Sequence, residues 1–307
     1  MNSLNTQITN DLKSHLAYYL ESNLPKDFYE VFSYAILPAG KLFRSNLVWK
    51  CFCDLSDIDI NDINTADYPN VQKLSSAVEF HHVYTLLHDD LPCMDDDDYR
   101  RGRLSTHKKY NEWMALLAGD GLLNLSYEIL ASIEHPNTVQ TIKEFSKLCG
   151  PQGLILGQYM DLKQDNEAFN FQNILTIHQL KTANLFTCCL LGATLLSPKA
   201  GSFNNTARNI GKSTGVIFQL IDDLTELCEK QVSQHEKAIN PWIHDFHQTS
   251  TTLLALINEL NSETQATPNI KQMIEEYTGK IKNKLESNIL IIENHLNESL
   301  SPIISNL

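Results

Sequence analysis

The stretch from residue 88 to residue 107 constrains this chain most, because it holds six aspartates within ten positions and three arginines shortly after them. The acids form two groups, Asp89–Asp90 and Asp95–Asp98, separated by four uncharged residues. Clustered carboxylates repel one another unless a cation holds them, so a divalent metal is favoured. Guanidinium groups bind phosphate oxygens through paired hydrogen bonds. The stretch therefore predicts a metal site beside a phosphate or diphosphate ligand.

Helical periodicity dominates the rest of the chain. Apolar residues recur with the spacing of one helix face in these segments: 6–22, 27–37, 71–91, 111–131, 138–163, 171–196, 204–229, 243–262 and 268–298. Glycine and proline are few, at 12 and 10 of 307 residues, and no strand–turn–strand pattern is visible. We therefore predict an all-α fold. The lack of a low-complexity linker predicts a single domain over residues 1–307.

Charge and cysteine content exclude several classes of protein. The net charge of −13 argues against nucleic acid as a general partner, although arginines and metal ions can still attract an anionic substrate locally. Seven cysteines, an odd number without zinc-type spacing, predict reduced and mostly buried thiols in a cytoplasmic protein. No signal-peptide pattern is visible, and the longest apolar stretch, Leu185–Leu196, is too short to span a bilayer. We therefore expect a soluble chain without a membrane span.

A second acidic group lies within the segment 204–229. Its members are Gln219, Asp222, Asp223 and Glu226. Their spacing places these side chains on one helix face, and nearly all their neighbours are apolar, which predicts a mostly buried helix. Because a buried carboxylate is costly without a cation, a second metal-binding group is favoured. The alternative is the solvated face of a surface helix.

Two further patterns are weaker. Lys41 and Arg44 lie three residues apart near the start of a predicted helix, a position that favours anions, although two solvated basic residues would give the same pattern. Glu79-x-x-His82 matches half of the paired motif of a di-iron carboxylate bundle. No second copy of that motif is present in the sequence, so Mg²⁺ bridging to a diphosphate is the preferred interpretation.

Five motifs, in order, resemble those of one enzyme family. Residues 79–102 resemble the first aspartate-rich motif of the trans-isoprenyl diphosphate synthases, in the form typical of the bacterial farnesyl diphosphate synthase (geranyltranstransferase) type. The other matches are Gly119-Asp120, Gly157-Gln158-x-x-Asp161, Lys181-Thr182 and Phe218-Gln219-x-x-Asp222-Asp223. The resemblance is specific, because the first motif is long and the order of the motifs is preserved.

The resemblance implies an all-α isoprenoid-synthase bundle around a central cavity, usually a homodimer. It implies a Mg²⁺-dependent prenyltransferase that condenses isopentenyl diphosphate with dimethylallyl or geranyl diphosphate to give farnesyl diphosphate, a C15 product. Up to three Mg²⁺ ions are implied at each active site, and Mn²⁺ could substitute. Three alternatives stay open: a geranylgeranyl diphosphate synthase, a weakly active or inactive paralogue that binds substrate or a partner subunit, and a class I terpene cyclase. Lys41, Arg44 and His82, which match the family's isopentenyl diphosphate residues, disfavour the cyclase, because a cyclase needs no such pocket.

The resemblance also implies roles for particular residues. Mg²⁺ would be held by carboxylates of both acidic groups: Asp89, Asp90, Asp95, Asp222, Asp223 and Glu226. Arg100 would contact the allylic diphosphate, and isopentenyl diphosphate would be bound by Lys41, Arg44, His82 and Arg101. The residues beside the ionising allylic group would be Lys181, Thr182 and Gln219. Product length would be limited five positions before the first aspartate of the motif, by Tyr84 with its neighbour Thr85.

Three departures from the family pattern affect diphosphate binding. The basic segment of the family appears here as residues 39–45, Ala-Gly-Lys-Leu-Phe-Arg-Ser, and lacks one arginine and a proline. Glu226 stands where the family has aspartate. The lysine-containing segment expected after Glu226 is missing, and Lys230 and Lys237 are its candidate replacements. We therefore expect the acidic group around Glu226 to be the weaker of the two.

Overall fold

The all-α prediction is confirmed by a computed structural model that describes residues 3–164, 168–229, 231–232 and 234–307. Contacts group the chain into two compact units. The first unit comprises Met1–Lys143 and Leu195–Pro198, and the second comprises Glu144–Thr194 and Lys199–Leu307. The single-domain interpretation stays a prediction. None of the helices in the described ranges combines the length and the apolar character that a membrane crossing requires.

The core of the first unit forms where one long helix packs on two others. The helix bounds, in chain order, are α1 Ser3–Leu16, α2 Lys26–Ile36, α3 Phe43–Ser56, α4 Pro69–Asp89, α5 Thr106–Lys109 and α6 Glu112–Ala131, followed by α7 Thr138–Cys149, which continues into the second unit from Glu144. A π-helical turn, Ala17–Glu21, extends α1, and a 3₁₀ turn, Thr65–Asp67, precedes α4. α4 packs against α3 and α6. Trp49, Phe80 and Leu122, one from each of these helices, are fully buried.

Local signals set both ends of α4, which carries the first acidic group. Pro69 occupies the first helical position, where its missing N–H is harmless and its fixed φ suits a helix. The helix ends at Asp89, three residues before Pro92, which cannot continue it. Buried residues extend from Val71 to Leu87. The acids therefore emerge from the C-terminal end of a firmly packed helix.

A β-hairpin that the sequence did not predict follows these acids. Tyr99–Arg100 (β1) and Arg103–Leu104 (β2) pair antiparallel. The two-residue turn between them has positive φ angles at Arg101 (55°) and Gly102 (76°), the combination that a tight hairpin turn requires. Strands of two residues show no alternating pattern, so periodicity could not find them. The turn separates Arg101 from the arginines on the two strands.

The second unit is built around one long helix, α11. The helices after α7 are α8 Leu154–Gln164, α9 Phe171–Ile177, α10 Asn184–Leu195, α11 Asn204–Glu226, α12 Gln234–Ile239, α13 Pro241–His244, α14 Phe246–Glu263, α15 Pro268–Ser287, α16 Ile289–Leu296 and α17 Ser301–Ile304. A π-helical segment, His178–Ala183, joins α9 to α10, and a 3₁₀ turn, Thr264–Ala266, follows α14. α11 packs against the π-helical segment and α14.

Two segments predicted as single helices are each divided. The segment 138–163 breaks at Gly150-Pro151, because proline lacks the N–H that a continuing helix needs. The segment 268–298 breaks at Asn288, between α15 and α16. The apolar spacing inside both segments is helical, so spacing alone could not locate the breaks.

Candidate active site

The first acidic group lies at the C-terminal end of α4, where the chain folds back on itself. The backbone N–H of Asp95 donates to the carbonyl oxygen of Asp89 at 2.9 Å, so the two residues are neighbours despite the loop between them. Asp89 is half-buried and Asp95 is exposed. The negative end of a helix dipole disfavours carboxylates, so a cation would relieve repulsion here. The turn thus brings together two aspartates that the resemblance assigns to Mg²⁺.

Asp90 and Arg100 bind each other in this structure. Arg100 Nε donates to Asp90 Oδ1 at 2.7 Å, and a second ion pair joins Arg100 to Asp97. Asp90 is 3% exposed. Burial raises the pKa of its carboxyl group, and the hydrogen bond from Arg100 opposes that rise. Their roles as metal ligand and diphosphate ligand stay predictions, because either ligand would have to displace part of this ion pair.

Three of the four residues predicted to bind isopentenyl diphosphate lie near one another. Arg44 Nη1 is 3.3 Å from His82 Nε2. Because arginine only donates, this ring nitrogen accepts, and the proton of the neutral ring is on Nδ1. Burial, followed by the charges of Arg44 and Arg101, lowers the pKa of His82 well below its ordinary value. Arg101 lies against Gly40, where an added Cβ would be 2.5 Å from the Cζ of Arg101. The fourth residue, Lys41, is exposed.

Ser45, which stands where the family pattern has proline, connects α3 to α4. Its Oγ lies 3.1 Å from Glu79 Oε2 and 3.1 Å from the carbonyl oxygen of Ser75. Glu79 is buried, which raises the pKa of its carboxyl group, while the charge of Arg44 opposes the rise. This departure from the family therefore adds a polar contact next to Arg44.

The two residues predicted to limit product length lie in the last turns of α4. Tyr84 is 5% exposed. Its ring packs edge-on against the rings of His81 and His88, with centroid distances of 4.5 and 5.7 Å. Thr85 Oγ1 donates to the carbonyl oxygen of His82 at 2.8 Å. Aromatic packing therefore holds Tyr84, whereas a hydrogen bond within the helix holds Thr85.

In the second unit, Lys181 lies in the π-helical segment and forms an ion pair with Asp161 of α8. The Nζ and Oδ2 atoms are 2.5 Å apart. The approach depends on Gly157, one turn before Asp161, because a Cβ there would overlap the backbone of Lys181. Gly157 therefore lets the backbones of α8 and the π-helical segment come close together. π-helical turns are rare and often occur at functional sites, and this one carries both Lys181 and Thr182.

Thr182, Gln219 and Asp223 form a chain of hydrogen bonds. Thr182 Oγ1 donates to Gln219 Oε1 at 3.0 Å, and Gln219 Nε2 donates to Asp223 Oδ1 at 2.9 Å. The other oxygen of Asp223 is 3.2 Å from Nε2 of His178, a residue that the sequence interpretation missed. Burial lowers the pKa of His178 to about 4, so its ring is neutral at neutral pH. The sequence does offer one signal for His178: it lies three residues before Lys181, a spacing that makes two helical side chains neighbours.

The burial predicted for the second acidic group is wrong for two of its members. Asp222 and Glu226 are exposed, because α11 turns its apolar face inward and presents these acids to solvent. Leu220, Ile221 and Leu224 are fully buried on the opposite face. The surface-helix alternative therefore holds for the two acids, and the cost of burial is no argument for a cation beside them.

The segment that follows α11 is anchored to its acidic end by two residues that the family pattern did not suggest. Asn240 Nδ2 donates to the carbonyl oxygen of Asp223 at 2.8 Å. Trp242 Nε1 donates to the carbonyl oxygen of Leu220 at 2.7 Å. Asn240 and Trp242 are 1% and 0% exposed. The departure from the family thus provides a buried clamp on the last turns of α11.

One of the two lysines considered as replacements for the missing segment lies among the described residues. Lys237, in α12, is exposed. Lys230 lies outside the described residues. The extra positive charge expected from this segment therefore stays a prediction.

One group of metal-ligating side chains was not predicted. Among the described residues, Asp96, Asp98 and His107 place ligand atoms within 4.8 Å of one another. Lys108 Nζ lies 2.8 Å from Asp98 Oδ1 and 3.9 Å from Asp96 Oδ1. This ammonium group already supplies the positive charge that the acids need, so we assign no metal to them.

A family model described as polyprenyl synthetase matches residues 25–289. The chain belongs to this family. Among the relatives of this polyprenyl synthetase, the farnesyl diphosphate synthase of Bacillus subtilis (strain 168) is 30% identical over 222 residues, which cover 70% of this chain and 72% of the relative. The family predicted from the five motifs is therefore confirmed.

Two solved structures resemble this polyprenyl synthetase along most of its length. An FPP/GFPP synthase from Zymomonas mobilis, in its apo form, has a TM-score of 0.73 and 26% identity, and the match covers 89% of this chain and 95% of the other. A geranyltransferase from Helicobacter pylori, complexed with magnesium and isoprenyl diphosphate, has a TM-score of 0.71 and 25% identity, with coverages of 92% and 98%. These matches confirm the predicted isoprenoid-synthase fold.

The donor atoms of this polyprenyl synthetase fit Mg²⁺. Asp89 and Asp95 in the first unit, and Asp222 in the second, offer carboxylate oxygens that are exposed or half-buried. Oxygen ligands of this kind, with room left for water and phosphate, are those that Mg²⁺ prefers. Arg100 and Lys181 are each held by a carboxylate, so each guanidinium or ammonium group has a defined position. In each unit, a positively charged side chain held in this way is suited to binding a phosphate oxygen.

Proposed function

We propose that this polyprenyl synthetase condenses isopentenyl diphosphate with dimethylallyl or geranyl diphosphate and releases farnesyl diphosphate and diphosphate. The observation that carries the proposal is the fold of the first acidic group, in which Asp95 is hydrogen-bonded back to Asp89 beside the Asp90–Arg100 ion pair. The relative from Bacillus subtilis is a farnesyl diphosphate synthase. The similar structure from Helicobacter pylori was solved with magnesium and isoprenyl diphosphate.

Metal binding is proposed at each acidic group. Asp89 and Asp95 of the first group, and Asp222 of the second, would each hold Mg²⁺, which supplies charge neutralisation for the departing diphosphate. Asp90 orients Arg100 toward the same negative charge. Up to three ions per site, and replacement by Mn²⁺, are proposed by family resemblance.

The proposed reaction breaks one C–O bond and forms one C–C bond. The allylic C–O bond breaks, the alkene of isopentenyl diphosphate attacks the allylic carbon, and a proton is lost to the released diphosphate. Lys181, fixed by Asp161, balances the charge of the diphosphate, while Thr182 and Gln219 direct dipoles at the allylic cation. The protein also excludes water from that cation and orients the two substrates.

Isopentenyl diphosphate is proposed to bind at the group that contains Arg44, His82 and Arg101, with Lys41 nearby in the sequence. The low pKa of His82 leaves its ring neutral. The positive charge that attracts the diphosphate therefore comes from the arginines and the lysine, and His82 orients Arg44 through the 3.3 Å contact.

The activity is tested by incubating the full chain with isopentenyl diphosphate, geranyl diphosphate and Mg²⁺, and by sizing the products by mass spectrometry. We expect a C15 diphosphate. A C20 major product would identify a geranylgeranyl diphosphate synthase. No condensation at any Mg²⁺ concentration would favour the binding paralogue. Hydrocarbon formed from one prenyl diphosphate alone would favour the terpene cyclase.

Replacing Tyr84 tests the proposed limit on product length. Tyr84→Ala removes the ring and opens space along α4, so we expect C20 to become the major product in the same assay. Tyr18→Ala is the matched control, because Tyr18 is 76% exposed on the first π-helical turn. A Tyr84→Ala enzyme that still makes only C15 would contradict the blocking role.

Replacing Glu226 tests the weaker acidic group. Glu226 is exposed, so Glu226→Asp restores the family residue without creating a buried gap. We expect kcat/KM to be unchanged or up to about tenfold higher, the range in which changes around a metal alter its affinity. Glu229→Asp, outside the motif, is the control. A tenfold loss in Glu226→Asp alone would show that the longer side chain is required.

The proposed oligomeric state rests on an exposed apolar face of α6. α6 exposes three large apolar side chains at helical spacing: Trp113 (57%), Leu116 (44%) and Leu117 (46%). Exposed apolar patches of this kind mark protein interfaces. We propose that a second copy of the chain covers this face, giving a homodimer, and that the protein is cytoplasmic.

A further inference from the structure

We infer that His88 and Gly119 are positioning residues that hold the Tyr84 ring and thereby set the product length. The inference rests on the proposed function, in which Tyr84 limits chain growth. It extends that function to one residue of α4 and one of α6 that have no assigned role in it.

The Tyr84 ring is held between two other rings of α4. It meets His81 at 84° and His88 at 81°, with centroid distances of 4.5 and 5.7 Å. Edge-to-face contacts of this kind are favourable beyond the area they bury. His81 is fully buried, and its Nδ1 lies 3.3 Å from Ser126 Oγ of α6. One side of Tyr84 therefore rests against a ring that cannot move easily, and His88 contacts it from the next turn of the helix.

α6 in turn fixes the His88 ring. His88 Nε2 lies 3.1 Å from the carbonyl oxygen of Leu116. Because a carbonyl only accepts, Nε2 carries a proton and donates it. Asp120 Oδ1 is 3.7 Å from the same nitrogen. The ring therefore has a defined orientation rather than one of several rotamers.

Gly119 provides the space that the His88 ring occupies. A Cβ at position 119 would overlap the imidazole, with Nε2 and Cδ2 as its nearest atoms. These atoms are at the far end of a side chain that can rotate, so Gly119→Ala is expected to displace the ring without disrupting the backbone. Gly119 contacts His88, and His88 contacts Tyr84. A substitution of Gly119 or His88 should therefore change the position of the Tyr84 ring.

The test measures the ratio of C20 to C15 product in His88→Ala and Gly119→Ala, with isopentenyl diphosphate in excess. We expect the ratio to rise by about tenfold in both, the factor that corresponds to losing one aromatic contact of about 1.4 kcal/mol. His88→Phe keeps a ring and should stay closer to the wild type. The ratio is independent of the total rate, which His88 could also change because it precedes Asp89.

Controls separate this inference from the function on which it rests. His15→Ala, which removes a histidine ring from α1, should leave the ratio unchanged, and far-ultraviolet circular dichroism checks that each variant is folded. If Tyr84→Ala lengthens the product but His88→Ala and Gly119→Ala do not, the positioning role is wrong and the blocking role stands. If Tyr84→Ala also leaves the product unchanged, the blocking role of Tyr84 is wrong and this inference fails with it, while the proposed condensation stands. If the wild type does not condense the substrates, the proposed function itself fails.

Discussion

Asp89→Ala is expected to lower kcat by about 10³-fold or more. Asp89 is the last residue of α4, and its carbonyl oxygen accepts the hydrogen bond that brings Asp95 beside it. Alanine would keep this backbone contact and remove only the carboxylate. A bound metal contributes several kcal/mol of charge stabilisation, and about 1.4 kcal/mol corresponds to a factor of ten in rate. The measurement is steady-state condensation of isopentenyl and geranyl diphosphates over a titration of Mg²⁺.

The matched control for this prediction is Asp62→Ala. Asp62 is an exposed acid in the polar segment between α3 and α4, outside the acidic motifs. The Asp62→Ala enzyme should keep the wild-type kcat and Mg²⁺ dependence. That result would exclude the loss of one negative charge as the cause of the lower kcat of Asp89→Ala. An Asp89→Ala enzyme with unchanged kcat and unchanged Mg²⁺ dependence would show that Asp89 is not a metal ligand.

Trp242→Ala is expected to lower the free energy of unfolding by about 3–5 kcal/mol, the usual cost of removing a large aromatic side chain from a core. Trp242 is 0% exposed, and its Nε1 donates to the carbonyl oxygen of Leu220. The loss therefore includes a cavity and the hydrogen bond from the indole to that oxygen. Urea unfolding followed by circular dichroism measures it.

The contacts of Trp242 with α11 also predict how the variants should rank in free energy of unfolding. Trp242→Phe keeps most of the volume but loses the hydrogen bond, so its loss should be smaller than that of Trp242→Ala. Leu290→Ala, at a residue that is 74% exposed in the same unit, should change stability by less than about 0.5 kcal/mol. Equal stability of Trp242→Ala and the wild type would mean that this segment does not hold α11.

The sequence predicted those parts of the molecule that depend on local spacing. Apolar residues at helical intervals located α4, α6 and α11, because the buried face of a long helix must repeat every three or four residues. The three glycines of residues 150–157 are typical of close packing, and Gly157 makes such a contact with the backbone of Lys181, because only a residue without a Cβ permits it. Both signals are contained within a single segment of the chain.

The parts that the sequence could not predict depend on pairings between distant residues or on small differences in backbone angle. Nothing local indicates that Asp90 is buried against Arg100, or that Trp242 donates to a carbonyl of α11. The hairpin depends on a positive φ at Arg101, which residues other than glycine seldom adopt. The exposure of Asp222 depends on which way α11 faces, and apolar neighbours alone do not determine this.

The π-helical segment His178–Ala183 has a consequence for how sequences of this kind can diverge. A π turn is equivalent to one residue inserted into an α-helix. Deleting a residue elsewhere in a helix rotates everything after it by about 100° relative to what precedes it. Deleting one here would instead restore a regular α-helix and leave α9 and α10 in phase, while moving Lys181 and Thr182 away from Asp161 and Gln219. A deletion of one residue at this point would keep the fold and remove the contacts of Lys181 and Thr182, the two residues proposed to act beside the allylic group.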